Sequence, residues 1–112
     1  MKYFVNNDQR SGTCYHEFYK GKWDESTFWA SDSILLHDDI LYEAAVFAEA
    51  IAAIIPVYDP YGETEIYPEQ WKMIGERVCK SGNQMAVELY FEANEWVQDV
   101  FPSYGCFTII GI

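Results

Sequence analysis

The sequence predicts an α+β fold in which three helices pack on a small, mainly antiparallel sheet, in the order ββαααβ. Two observations set the class. Segments rich in aromatic and β-branched residues stand at the two ends of the chain, and stretches with helical apolar spacing stand between them. A third sets the size: 112 residues, half of them hydrophobic and 18% aromatic, make one domain over residues 1–112. A chain of this length buries roughly two-thirds of its unfolded surface, enough for a core without a disulfide or metal staple.

Each element has its own reason. "KYFV", residues 2–5, reads as a short strand, and "NNDQRSG", residues 6–12, is turn chemistry. "TCYHEFYKG", residues 13–21, alternates imperfectly and is rich in aromatics, so it reads as a second strand, joined to the first in a hairpin with a long connection. "KWDESTFWASDS", residues 22–33, reads as a loop with Trp23 and Trp29 as core or lid residues and Asp32 or Ser33 as the cap of the next helix. Residues 34–55 carry the clearest helical pattern, with many alanines and no glycine or proline. Leu36, Ile40, Ala44, Phe47, Ile51 and Ile54 share one face, Asp38, Asp39, Glu43 and Glu49 take the other, and Pro56 stops the helix. Pro68 suits the first turn of a second helix over 68–80, with Trp71, Ile74 and Val78 inward. "SGN", residues 81–83, breaks it, and a third helix runs over 84–101 to Pro102. "YGCFTIIGI", residues 104–112, reads as a strand whose unbroken apolar character puts it inside the sheet. The first and last strands are placed to pair.

Eighteen acidic residues against seven basic ones give a formal net charge of −11. That balance argues against direct binding of nucleic acid, whose phosphates need a basic patch, and against adsorption to anionic membranes. It fits a basic protein partner. The three cysteines, Cys14, Cys79 and Cys106, form no CxxC pair and read as reduced, mostly buried thiols. "MKYFVNNDQR" has no apolar run of the signal-peptide kind, so a cytoplasmic protein is expected.

Two stretches break local rules without local compensation. "PVYDPYGETEIYPEQW", residues 56–71, reads as a long loop with four carboxylates, three tyrosines and no lysine or arginine. Tyr58, Tyr61 and Tyr67 offer rigid contact area with a polar tip, and Asp59, Glu63, Glu65 and Glu69 can meet lysines and arginines. On the third helix Glu88, Glu92, Glu95 and Asp99 follow spacings of four, three and four. All four lie within about 60° of one line. Like charges at such spacing repel by a few tenths of a kcal/mol per pair, and Asp99 also meets the negative end of the helix dipole. Stripe and loop together read either as a docking surface for a cationic partner or as solvated faces. If the former, reversing Glu92 and Glu95 to lysine should slow association and leave folding intact.

Motifs for chemistry are missing. His37 stands in the consecutive "HDD" of residues 37–39, whose side chains diverge; Asp38 and Asp39 suit a helix N-terminus. "DPYGETE", residues 59–65, lacks the alternating oxygen ligands of a calcium loop. There is no phosphate loop and no nucleophile elbow. No metal, cofactor or catalytic residue is assigned.

In size, charge and aromatic content the whole chain resembles the small acidic immunity proteins encoded beside bacterial polymorphic toxins, including those of contact-dependent growth inhibition. The resemblance implies neutralisation of a cognate toxin domain, often a nuclease, in the producing cell. The binding residues proposed are those of the stripe and the loop. Two other readings stay open: a small structural or regulatory subunit of phage or mobile-element origin, and a small enzyme with a pocket between sheet and helices.

Overall fold

The computed structural model describes residues 1–112. Strands β1 (Phe4–Val5), β2 (Tyr15–Lys20), β3 (Ile34–His37), β4 (Glu63–Ile66) and β5 (Phe107–Ile110) form one sheet in the order β1-β3-β2-β5-β4, with every pair antiparallel. Helices α1 (Asp38–Glu43), α2 (Ala45–Ile54), α3 (Pro68–Ser81) and α4 (Gln84–Tyr104) complete it. The class is α+β, as predicted, but with five strands and four helices in the order βββααβααβ rather than ββαααβ. No helix is long and apolar enough to cross a membrane.

Register sorts the sheet's side chains into two faces. Phe4, Phe18, Ile34, Leu36, Ile66, Phe107 and Ile109 join Phe47, Ile51, Trp71, Ile74, Val78, Leu89 and Val97 from the helices in one buried core. Phe18 stacks on Phe107 at 5.5 Å, and Trp71 meets Phe107 edge-on at 5.3 Å. The other face presents Tyr15, Glu17, Leu35, Thr108 and Ile110. The segment 21–33 lies over it.

Several expectations change, each for a physical reason. Residues 34–37 are a strand, not the start of a helix. Ile34, Leu35 and Leu36 are buried, Leu35 and Leu36 pair with β1 on one side and β2 on the other, and an unbroken apolar run of this length suits either structure until its neighbours decide. His37, not Asp32 or Ser33, caps the helix: its Nδ1 accepts the Asp39 N–H at 3.0 Å. The helix itself breaks at Ala44 (φ −97°, ψ 45°). Leu41 and Phe47 would lie about 120° apart on a straight helix; the break lets both reach the core. β1 pairs with β3 and forms no hairpin with β2, and it does not meet β5. β5 does sit inside the sheet, between β2 and β4.

α4 runs through Pro102 and stops at Gly105, which takes φ +78° and donates its N–H to Phe101 O at 2.9 Å. The proline stands in an exposed last turn, where the Gln98 carbonyl it leaves free stays in reach of water. α3 follows the prediction: Pro68 opens it, Trp71, Ile74 and Val78 are buried, and Gly82 ends it in the left-handed region at φ +70°. Cys14 and Cys79 are exposed; only Cys106 is buried, and burial pushes its thiol up.

Candidate functional site

Half of the acidic stripe on α4 is turned to use inside the fold. Its first two carboxylates hold the N-terminus. Glu92 accepts the backbone N–H groups of Lys2 at 3.0 Å, Tyr3 at 2.8 Å and Phe4 at 2.7 Å, donors that an edge strand otherwise leaves open. Glu88 accepts the Tyr3 hydroxyl at 2.6 Å and the Lys2 ammonium at 3.0 Å. Those bonds, with one from Gln84, hold the Glu88 carboxyl down at about 2, the Tyr3 hydroxyl being the largest cause. The missing counter-charge therefore comes from Lys2, far off in sequence. Glu95 and Asp99 are exposed.

The segment 56–71 is not one loop. A turn at Tyr58–Gly62 leads into β4, whose side chains alternate: Glu63 and Glu65 outward, Thr64 and Ile66 inward. The turn is pinned: Asp59 Oδ1 accepts the Tyr61 N–H at 2.9 Å, Gly62 N–H donates to Asp59 O at 3.1 Å, and Ile112 N–H donates to Pro60 O at 3.2 Å. Gly111 passes so close to Pro60 O that a Cβ there would overlap it. Tyr58 packs against the core, and burial first, then Asp38 and Asp59, pushes its hydroxyl up to about 12. Tyr67 donates its hydroxyl to Glu65 at 2.9 Å, the chief reason its own ionisation moves up to about 12. Tyr61 is 79% exposed.

The ten proposed residues thus divide. Glu88, Glu92 and Tyr58 are engaged inside the fold. Asp59, Tyr61, Glu63, Glu65 and Tyr67 lie along or beside β4, one edge of the sheet, while Glu88 and Glu92 lie against β1, the other edge. Four inter-strand steps of about 4.8 Å put these edges about 19 Å apart. Glu95 and Asp99 belong to the helical layer. The stripe and the loop do not form one surface.

What the sequence reading missed lies on the face away from the helices. Glu17 is 1% exposed at the centre of the sheet. It accepts the Trp29 N–H at 2.8 Å, the Ala30 N–H at 2.9 Å and the Ser33 hydroxyl at 2.7 Å, and so fastens the segment 21–33 over the strands. Trp29 is held with φ +60°, a conformation that bulky residues rarely adopt and that costs on the order of 1–3 kcal/mol. Arg10 covers its ring at 4.3 Å. At the tip, Asp24 accepts the Thr27 hydroxyl and the N–H groups of Thr27 and Ser26, which hold its carboxyl at about 2. Trp23 and Phe28 pack at 5.2 Å.

Between this tip and the β4 turn opens a concavity of about 370 Å³, lined by Trp23, Phe28, Tyr61, Glu63, Ile110 and Ile112. Phe28 is 53% and Ile112 46% exposed. A second hollow of about 240 Å³ lies on the other side of Phe28, reaching Tyr15 and Glu17. Across residues 21–33 and 56–71 Lys22 is the one basic residue, against seven acidic ones. Rigid aromatic contacts inside an acidic surround suit a basic, partly apolar partner. His16 and Glu17, adjacent in sequence, point to opposite faces: His16 Nε2 meets Asp38 Oδ1 at 2.8 Å on the helical side, so the two form no joint site. No group of three or more His, Cys, Asp or Glu side chains is placed to hold a metal ion. Compared with protein-family models, with curated proteins and with solved structures, the chain matches none.

Proposed function

We propose that the protein is a cytoplasmic immunity protein that binds and neutralises a basic toxin domain, of nuclease type, and has no catalytic step of its own. The observation that carries this is the concavity beside β4, where Phe28, Tyr61 and Ile112 are exposed on pinned backbone within an acidic surround. A net charge of −11 steers a basic partner from a distance; the aromatic contacts then supply specificity at short range. Asp59, Glu63, Glu65 and Tyr67 extend the surface along the sheet edge. A second reading, a structural or regulatory subunit whose carboxylates serve folding and solubility, draws on the internal use of Glu88 and Glu92.

Co-expression with the protein encoded immediately upstream tests the two. The immunity reading expects a complex that rescues growth, weakens as salt rises, and loses about 1–2 kcal/mol on Tyr61→Ala. No complex and no toxicity would leave the subunit reading in place.

A further inference from the structure

The two edges of the sheet are treated differently. At β1, the Glu92 carboxylate occupies the N–H groups of Phe4 and of the two residues that lead into the strand. At β4, the only bonded neighbour is β5. Paired residues of an antiparallel ladder alternate between bonded and unbonded. Gly21 N–H donates to Cys106 O at 3.0 Å and Gly111 N–H to Gly62 O at 2.6 Å, so β5 directs residues 106, 108 and 110 toward β2 and residues 107, 109 and 111 toward β4. Thr64 and Ile66 therefore bond inward, and the N–H and C=O groups of Glu63 and Glu65 point outward from the sheet.

We propose that this open edge receives an extended basic segment of the partner as a sixth strand. The proposal rests on the binding reading above and specifies how the partner is held. Charge selects the occupant. Glu63 and Glu65 are exposed on the same face of the edge, and residues 56–71 contain no lysine or arginine. A second copy pairing there would set carboxylates against carboxylates, which disfavours self-association. A strand with lysine or arginine at alternate positions would meet both glutamates while its backbone takes up the free N–H and C=O groups. Tyr61 and the concavity behind Glu63 lie on that same face and offer room for an apolar side chain of the added strand.

The test uses a decapeptide alternating lysine with valine, and a control with glutamate in place of lysine, in residue-resolved amide exchange of the intact protein at low salt. The lysine peptide should slow exchange at Glu63 and Glu65 by about tenfold or more, and the glutamate peptide should not. Glu65→Pro removes one outward N–H and leaves the ladder to β5 intact, so it should weaken binding by about tenfold, well beyond Glu65→Gln. Should the proline variant fold poorly, exchange in the unaltered protein decides alone. Binding of the lysine peptide with both amides unchanged overturns strand addition, as does no binding up to millimolar peptide. Either result leaves the basic-partner reading to the co-expressed complex, which decides it separately.

Discussion

Gly75 and Tyr90 set two effects against each other. Glycine inside a helix usually costs about 1 kcal/mol relative to alanine, so Gly75→Ala in α3 would be expected to stabilise. Here a Cβ would fall well inside contact distance of Tyr90 Cζ and Oη. Tyr90 cannot swing away: its hydroxyl donates to Trp71 O at 3.1 Å and its ring stacks on Trp71 at 4.4 Å. Overpacking of about 1–3 kcal/mol should win, lowering the denaturation midpoint. Glu17 works in the opposite sense, since its carboxylate is needed rather than in the way. Glu17→Gln keeps the volume but cannot accept all three donors, so we expect a loss of about 2–3 kcal/mol and a shift in tryptophan fluorescence as the segment around Trp29 loosens. An unchanged emission spectrum would show that the segment is held by other contacts.

The tie between α4 and β1 carries an acid sensitivity at the scale of elements. Folding depresses the Glu88 carboxyl from 4.5 to about 2, so its contribution is present above the ordinary carboxylate range and is lost as pH falls through that interval. In Glu88→Gln the acid side of the stability profile should flatten between those values, and the protection of the Phe4 amide relative to its intrinsic exchange rate should vary less with pH. Reversal of charge at Glu92 and at Glu95 has different consequences. Glu92→Lys removes the acceptor for three N–H groups and should free β1, whereas Glu95→Lys with Asp99→Lys touches only exposed positions and should leave the unfolding free energy within about 0.5 kcal/mol of the parent. If those two reversals also leave partner association unchanged, the outer part of α4 is a solvated face. Element identity was legible where punctuation was strong, as in α3 between Pro68 and Gly82. It failed at residues 34–37 and in the reading of 56–71 as loop, because four-residue strands carry little pattern of their own and exist only through β1, β2 and β5 beside them.

For the whole molecule, composition and order of residues determined an acidic chain of mixed class, an interior C-terminal strand and a surface rich in carboxylates and tyrosines. These follow from sums and short-range periodicity, which need no partner in space. Tertiary structure decided which carboxylates are available. Glu17 looks like any strand glutamate until β2 is placed at the sheet centre, with the segment 21–33 across it. Glu88 and Glu92 look unrelieved until residues 2–4 arrive from more than eighty positions away. Tyr61 and Glu63 gain Phe28 and Ile112 as neighbours only because β5 pairs with β4 and carries the C-terminus past the turn. Charge and apolar spacing are properties of the chain, but burial and hydrogen bonding are properties of pairs of segments, and that pairing exists only in the folded sheet.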